Sequence, residues 1–299
     1  MNNARTDLAS EAREVWQESA ESNTKLPGVW ARDTKNNGFN VTRVKILDDE
    51  GASVLGKPCG SYTTIELDGI SRRDTESFPR AIKAIAEELS ELLPKSFGCV
   101  LVVGLGNKGI TPDAVGSSAV SHIMVTRHLV EKMPDIFGNM RPVSAVAPGV
   151  LGMTGVESSE VIRGIAKHIS PDFIIVIDAL ASMKLSRLCK TVQITDTGII
   201  PGSGVGNARA AITRETMGVP IIALGVPTVV DIATIIGDFA DDSGIELPVE
   251  KLEKYSERLL VTPKDIDVHI SDIGRILGYA INSVLQKGIS IEDMDEFLS

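Results

Sequence analysis

Four aspartates end or closely follow short apolar runs of the kind that form buried strands. Asp178 ends the run DFIIVID, and Asp113 follows CVLVVG after the turn GLGNKGITP. Asp196 comes directly after VQIT, and Asp231 ends the stretch VPIIALGVPTVVD. In a wound α/β sheet, the crevice at the carboxyl ends of the strands is the usual place for chemistry. These four side chains could therefore converge on one cleft, although they lie far apart in the sequence.

A carboxyl group at the end of an apolar strand is partly removed from water. Burial raises its pKa because it disfavours the charged form, and a second carboxylate nearby raises the pKa further. Two carboxyl groups that share one proton can act as a general acid and a general base. Asp178 is the strongest candidate for such a role. The alternative for each of the four aspartates is structural, as a helix cap or as the partner of a lysine or arginine.

Other kinds of site have weaker support. Gly104, Gly106 and Gly109 match part of the dinucleotide-binding pattern, but Pro112 follows where a helix should begin. The segment PGSGVGN at 201–207 could form an anion-binding nest, although a bend that lets two backbone segments approach closely is the preferred interpretation. A nucleotide-binding module built on GLGN and PGSGVGN stays open as an alternative.

Metal-binding and nucleophile signatures are also poor. The cysteines have no zinc-site spacing, and the histidines form no HExxH motif. The sequence contains no G-x-S-x-G elbow. Carboxylates therefore remain the main catalytic candidates, with no metal site and no cofactor expected.

The order of apolar and amphipathic segments predicts how these carboxylates are positioned. Strands are expected at 39–46, 62–67, 99–104, 142–147, 172–178, 192–194 and 219–225, and helices at 4–22, 76–93, 114–133, 157–169, 228–239 and 263–286. Apolar strands that alternate with helices predict an α/β fold with a largely parallel twisted sheet and helices on both faces. The polar stretch 241–257 is expected to be a surface excursion.

Composition argues against several classes of partner. The 299 residues include 30 Lys plus Arg against 40 Asp plus Glu, a net charge of -10, which disfavours nonspecific binding to nucleic acid or to an anionic membrane. The apolar runs are too short to span a bilayer, and the N-terminus lacks the apolar region of a secretory signal. Three cysteines without a pairing pattern fit a reducing compartment. We therefore expect a cytoplasmic protein.

Longer motifs resemble one family. They are RTDLASEARE at 5–14, VGLGNKGITPDAVG at 103–116, VTRH at 125–128, RPVSAVAPGVLGMTG at 141–155, PDFIIVIDALAS at 171–182, ITDTGIIPGSGVGN at 194–207, GVPTVVD at 225–231 and LLVTPKDID at 259–267. In this order they resemble the germination proteases, which are spore endopeptidases of Firmicutes. The resemblance implies a zymogen, active in the forespore and spore core, that begins the degradation of small acid-soluble DNA-coating proteins during germination. It also implies a homotetramer and a fold similar to that of hydrogenase-maturation peptidases.

The resemblance further implies which residues are catalytic. The family is classed as atypical aspartic endopeptidases, and its TPDA and IDAL aspartates match Asp113 and Asp178. Asp196 and Asp231 remain secondary candidates. The alternative is a metal-dependent maturation-type peptidase that uses the same two aspartates, although no third histidine ligand matches.

The N-terminal motif resembles a substrate of the family. Thr-Asp-Leu-Ala-Ser-Glu at 6–11 is nearly the family's cleavage sequence, Thr-Glu-(Ile/Phe)-Ala-Ser-Glu, which is cut after the first Glu. The match predicts self-cleavage between Asp7 and Leu8, with residues 1–7 as a propeptide and 8–299 as a single α/β peptidase domain. The structural alternative is a helix start, with Thr6 as the N-cap and Asp7 in the first turn.

Overall fold

The structure is a computed structural model that describes residues 6–19, 26–70, 76–243 and 259–299. Its strands are β1 (Val29–Asn36), β2 (Phe39–Ile46), β3 (Gly60–Glu66), β4 (Val100–Gly104), β5 (Val143–Val146), β6 (Phe173–Ser182), β7 (Thr191–Thr195), β8 (Ile221–Asp231) and β9 (Leu260–Val261). Its helices are α1 (Ala9–Ser19), α2 (Asp49–Leu55), α3 (Ser77–Ser90), α4 (Val115–Val120), α5 (Arg127–Lys132), α6 (Pro134–Phe137), α7 (Leu151–Thr154), α8 (Ser158–Ile169), α9 (Arg214–Met217), α10 (Ile232–Ser243), α11 (Ile266–Leu285) and α12 (Ile291–Leu298).

The sheet has a parallel half and an antiparallel half. Its strand order is β1-β2-β3-β7-β8-β6-β4-β5, with β9 paired to the end of β8. The strands β5, β4, β6 and β8 run parallel to one another, as the alternation of strands and helices predicts. The strands β7, β3, β2 and β1 extend the sheet through antiparallel pairs. The α/β class is confirmed, and the parallel character is confined to the four strands around Asp178.

Helices cover both faces of the parallel half, because successive side chains of a strand point to opposite faces. On β6, Ile175 and Ile177 belong to a core cluster with residues of α3, α4 and α11. Ile174 and Val176 belong to a second cluster with residues of α8 on the other face. A third cluster joins α1 and α2 to β2 and β3. Each fully buried aliphatic side chain contributes about 1.5–3 kcal/mol, so packing holds the sheet from both sides.

Several boundaries differ from those that the sequence predicts. The strand β6 continues to Ser182 rather than stopping at 178, and β8 continues to Asp231 rather than stopping at 225. Both extensions keep an apolar character and pair with each other. The sequence does not predict β1, which is polar and has no buried residue, or α2, which has seven residues.

The expected surface excursion falls mostly on residues 244–258, outside the described residues. No helix in the described part of the chain combines the length and the apolar character that a membrane crossing needs.

The helix predicted at 114–133 is broken between α4 and α5 by a contact with α11. Asn282 of α11 is 1% exposed. Its Oδ1 accepts a hydrogen bond from Met124 N at 3.0 Å, and its Nδ2 donates to His122 O at 2.8 Å. The amide thus satisfies two backbone groups that a continuous helix would have paired internally. Tertiary contact here overrides local helix propensity.

The role of Asn282 in this break is testable. The variant Asn282→Leu keeps the volume but leaves Met124 N and His122 O unpaired, and each buried unpaired group costs about 1–3 kcal/mol. We expect urea unfolding to show a loss of about 2–4 kcal/mol in the free energy of unfolding. The matched control is Ser283→Ala, whose hydroxyl donates within the same helix to Tyr279 O. An equal loss in the two variants would contradict this account of the break.

Candidate active site

The candidate site lies at the carboxyl end of β4, where β4 stops and the neighbouring strand β6 continues. The last residue of β4, Gly104, pairs with Ile177 of β6. Asp178 is therefore the first residue of β6 without a partner on β4, while its other side still pairs with Gly225 of β8. The sequence places Asp178 at the end of its strand; in the structure it lies inside β6, and it is the neighbouring strand that ends. The crevice predicted at the strand ends therefore opens beside Asp178.

The side chain of Asp178 is held in a form that favours protonation. It is 4% exposed, and its Oδ1 accepts one hydrogen bond, from Ala179 N at 2.9 Å. Burial raises the pKa of Asp178 well above its ordinary value, the charges of Asp113 and Asp7 raise it further, and the hydrogen bond from Ala179 opposes them. A protonated carboxyl group at this place can donate a proton or a hydrogen bond.

Asp113 reaches the same crevice through a tight return of the chain. After β4 the chain turns at Gly106 and comes back as a 3-10 turn, Thr111–Asp113. The Oδ2 atom of Asp113 accepts from Asn107 N at 2.8 Å. Gly106 has φ +95°, and a Cβ built there would lie 1.9 Å from Asp113 O. The glycines of GLGN thus let Asp113 fold back over the strand end, which accounts for them without a dinucleotide.

Asp113 differs from Asp178 in its environment. It is half-buried, and burial raises its pKa, while the hydrogen bond from Asn107 N lowers it. The shift for Asp178 is the larger one. When two carboxyl groups differ in this way, the more buried one keeps the proton and the other is the first to ionise.

A cavity of about 490 Å³ contains both of these carboxyl groups, and Asp7 also lines it. Asp196 and Asp231 are not among the residues that line it. The Oδ1 atom of Asp196 accepts from Ser61 N at 2.7 Å. The Oδ1 atom of Asp231 accepts from Ala233 N at 2.7 Å and so caps the start of α10. The structure therefore brings together Asp113 and Asp178, and it gives the two secondary candidates the contacts of structural residues.

Topology explains why Asp196 lies apart. The strand β7 runs antiparallel to β8, and its last residue, Thr195, pairs with Ala223 near the start of β8. Asp196 thus lies near the amino end of β8, and the crevice lies toward the carboxyl ends of the parallel strands. The sequence pattern shows that an apolar run ends at Thr195, but it does not show in which direction the run points.

The N-terminal segment lies in the crevice against β6. Asp7 N donates to Ala181 O at 3.2 Å, and the Oδ2 atom of Asp7 accepts from Ala181 N at 2.9 Å. The Oδ1 atom accepts from the hydroxyl of Ser203 at 3.0 Å. Leu8, the next residue, is fully buried. The peptide bond between Asp7 and Leu8 is thus fixed at the rim of the cavity that holds Asp113 and Asp178.

Gln193 of β7 contacts the backbone on both sides of Leu8. Its Nε2 donates to Asp7 O at 3.0 Å, and its Oε1 accepts from Ala9 N at 2.7 Å. Gln193 is 6% exposed. A second cavity, of about 560 Å³, lies on this side of Asp7, and Lys57 also lines it. The Nζ atom of Lys57 donates to Thr6 O at 3.3 Å.

A second acidic side chain of the segment is buried deeper than the first. Glu11 is 1% exposed. It accepts from the hydroxyl of Ser182 at 2.6 Å and from Met183 N at 2.9 Å, and Arg187 Nη1 lies 3.3 Å away. The hydroxyl of Thr6 also donates to it. Since Ser182 and Met183 follow directly on Ala181, one continuous stretch of β6 and its extension binds both acids of the segment.

Sequence reasoning did not single out several residues of this site. Gln193 and Ala181 belong to no catalytic motif. They lie within apolar strands, whose sequence pattern indicates only a structural role. Ser203 and Gly204 belong to PGSGVGN, where the close-approach interpretation applies: a Cβ on Gly204 would lie 2.0 Å from Oδ2 of Asp7. Thr228 is fully buried at a bulge between β6 and β8, and its hydroxyl has no hydrogen-bond partner among the described residues.

The described residues contain no group of three or more His, Cys, Asp or Glu side chains arranged to hold a metal ion. Of the histidines, His122 packs edge to face against Tyr279, with ring centroids 6.1 Å apart. None of the four lies among the residues that line the two cavities. The side chains that line the two cavities carry carboxyl, amide and hydroxyl groups, together with the amine of Lys57 and the guanidinium of Arg209.

The buried state of Asp178 has a measurable effect on stability. Its pKa is raised on folding above the ordinary value of 3.8, so the folded state holds the proton over a pH range in which the unfolded state has lost it. The free energy of unfolding therefore has its full value below about pH 4 and falls as the pH rises through the pKa of Asp178 in the folded state. Asp178→Asn removes this titration. We expect the variant to gain at least about 1 kcal/mol relative to the parent chain between about pH 4 and neutral pH.

Denaturant unfolding of both chains across this pH range measures the difference. The control is Asp231→Asn, because asparagine caps a helix about as well as aspartate does. Parallel stability curves for the parent chain and Asp178→Asn would show that the carboxyl group does not titrate between the two states as inferred here.

Comparisons with known proteins identify the family. The model of one family, described as germination protease, matches residues 7–243. The germination protease of Caldanaerobacter subterraneus subsp. tengcongensis is 46% identical over an alignment of 321 positions, which covers 98% of each chain. Those of Clostridium perfringens and Bacillus cytotoxicus are 43% and 37% identical; the first match covers 100% of both chains, and the second covers 95% of this chain and 94% of the relative.

A solved structure is also similar. It is the NiFe hydrogenase maturation protease HycI from Thermococcus kodakarensis KOD1, at 16% identity and a TM-score of 0.37, over 66% of this chain and 98% of that chain. The matches to relatives, unlike this one, are close and nearly complete in length. On the strength of those matches, this α/β chain with paired carboxyl groups in its crevice belongs to the germination protease family, a family of peptidases.

Proposed function

We propose that the protein is a self-processing aspartic endopeptidase that cleaves its own chain between Asp7 and Leu8 and then acts on spore proteins. One observation carries the proposal. The Asp7–Leu8 peptide is held by Ala181 and Gln193 beside the cavity that contains the two carboxyl groups, Asp113 and Asp178. The site thus holds a peptide bond, an acid and a base within one crevice. In this reading, residues 1–7 are the propeptide and 8–299 the peptidase domain.

The environments of the two aspartates suggest their roles. Asp113, the more easily ionised group, takes a proton from a water molecule. The oxygen of that water bonds at the same time to the carbonyl carbon of Asp7. Asp178, the more strongly protonated group, gives its proton to the nitrogen of Leu8 as the carbon–nitrogen bond breaks. The reaction consumes one water, and a proton moves from Asp113 back to Asp178 to reset the pair. Because the two groups are electrostatically coupled, the pH profile belongs to the pair as a unit.

The contacts of the segment support the substrate class. In the cleavage sequence that the resemblance implies, an acidic residue precedes the cut and another acidic residue stands four positions after it. Asp7 and Glu11 occupy these two places, and both carboxylates have hydrogen-bond partners on β6 or next to it. We infer that small acid-soluble spore proteins bind the same contacts in the forespore and spore core. A homotetramer remains part of the proposal, and light scattering of the purified chain tests it.

The direct test is the intact mass of the purified chain over time at mildly acidic pH. We expect the parent chain to lose residues 1–7, and Asp113→Asn and Asp178→Asn to remain intact, because each removes one half of the proton transfer. Asp196→Asn and Asp231→Asn are the matched controls and should still be processed. Cleavage that persists in both site variants would refute the aspartate mechanism.

The metal-dependent alternative is tested in the same experiment. A chelator should leave processing unchanged if carboxyl groups alone carry the reaction. Processing that stops with chelator and returns with added metal would replace the aspartic mechanism by a metallopeptidase that uses the same side chains.

The binding of the acid before the cut is tested with Ser203→Ala. This variant removes one exposed hydrogen bond to the Asp7 carboxylate, worth about 1 kcal/mol, so we expect self-cleavage to slow about threefold to tenfold. The control is the double change with Asp7→Ala, in which the acceptor is already absent and Ser203→Ala should have little further effect. Equal effects of Ser203→Ala in both backgrounds would show that the hydroxyl does not act through this carboxylate.

A further inference from the structure

Gln193 bonds to the reactive carbonyl group itself. Its Nε2 donates to the carbonyl oxygen of Asp7 at 3.0 Å, and this is the carbonyl of the bond between Asp7 and Leu8. Its Oε1 accepts from Ala9 N at 2.7 Å. The two partners fix the orientation of the amide, because a carbonyl oxygen can only accept and a peptide N–H can only donate. The NH2 group therefore faces the carbonyl group that would be attacked.

The sheet places Gln193 opposite Asp178. Asp178, Gly225 and Gln193 form one row across β6, β8 and β7, in direct register. The neighbours of Gln193 on β7, Val192 and Ile194, belong to the core cluster on one face, as does Ile177 next to Asp178. Asp178 and Gln193 therefore both project from the other face, since alternate residues of a strand point to opposite sides.

The middle member of this row has no side chain. Two strand spacings, about 9–10 Å, separate the backbones of Asp178 and Gln193, and Gly225 lies between them. A Cβ on Gly225 would meet the side chain of Leu180 at 2.3 Å. The Leu180 side chain therefore lies over Gly225, between the carboxyl group of Asp178 and the amide of Gln193. The docked segment contacts the row at Gln193 and bonds to Ala181, the residue after Leu180.

We propose that Gln193 is a catalytic residue that stabilises the negative oxygen formed when water attacks the carbonyl carbon. This inference rests on the proposed function, and it assigns to Gln193 a task that neither aspartate performs. In the proposed step Asp113 accepts the proton of water and Asp178 protonates the leaving nitrogen, so neither neutralises the carbonyl oxygen. As the oxygen becomes negative, the hydrogen bond from Nε2 strengthens, which lowers the barrier without any proton transfer from Gln193.

Gln193→Glu tests the donor selectively. An ionised glutamate has the same length and still accepts from Ala9 N, but it cannot donate to the carbonyl oxygen. With a peptide that contains Thr-Asp-Leu-Ala-Ser-Glu as substrate for the full chain, we expect kcat at neutral pH to fall about 10²–10³-fold, and KM to change much less. Protonation turns the glutamate back into a donor, so the ratio of variant to parent kcat should rise on acidification. Asp7 and Lys57 are the charged side chains that line this cavity with Gln193. Self-cleavage removes Asp7, so kcat is compared only for chains whose intact mass shows that they have lost residues 1–7.

Gln286→Glu is the matched control. Gln286 is 3% exposed and also uses both ends of its amide, accepting from Arg141 N and donating to Arg141 O and to the hydroxyl of Thr126. It should lose stability as Gln193→Glu does, but its kcat ratio should stay near one at every pH. If Gln193→Glu does not fold, Gln193→Leu replaces it, with the loss in kcat expected without the recovery in acid.

The outcomes separate the two proposals. A fall in kcat that recovers in acid only for Gln193→Glu supports the inference. If only KM rises in Gln193→Glu, or if this variant behaves like Gln286→Glu, the inference about Gln193 is wrong. The peptidase proposal is then unaffected. A parent chain that cleaves neither itself nor the peptide overturns both.

Discussion

The site depends on one carboxyl group that is buried within a sheet where the adjacent strand has already ended. Asp178 pairs on one side with β8, while β4 stops one residue earlier. A charged carboxylate in this place would be costly, because few donors are present to replace its hydration. Protonation removes most of that cost, and so the fold itself sets the chemical form of the group. Asp113 needs no such burial, because the glycine turn of GLGN brings it to the rim of the crevice.

The N-terminal segment couples the folding of the chain to the state of this site. Its two acids are bound by the end of β6 and the residues after it, and α1 continues the segment into the cluster with β2 and β3. The helix-start and substrate interpretations of TDLASE are compatible. The hydroxyl of Thr6 accepts from Leu8 N, α1 begins at Ala9, and the peptide before Leu8 still faces the crevice. Asp7 lies two residues before α1 and Glu11 lies in its first turn, and the end of β6 together with Met183 contacts both acids.

Charge within the segment is balanced locally. Arg187 lies near Glu11, Glu14 and Glu66, and these carboxylates raise its pKa even though burial lowers it. Burial lowers the pKa of Lys57, and the charges of Asp7 and Glu11 oppose that effect. A buried ion pair is expensive to break, because the remaining partner stays uncompensated. The contacts of Glu11 therefore anchor the segment, while the more exposed contact between Asp7 and Ser203 adds a weaker bond.

The sequence by itself determined the α/β class, the central strands and the pairing of Asp113 with Asp178 as the leading candidates. These follow from local signals: apolar runs of strand length, carboxylates directly after them and long family motifs. Tertiary structure decided the rest. The direction of β7 separates Asp196 from the site, and the capping of α10 accounts for Asp231. The register of β6, β8 and β7 aligns Asp178, Gly225 and Gln193, and contact with α11 breaks the helix expected at 114–133. Each of these depends on residues far apart in the chain, whose relative position is fixed by strand pairing and packing rather than by any local pattern.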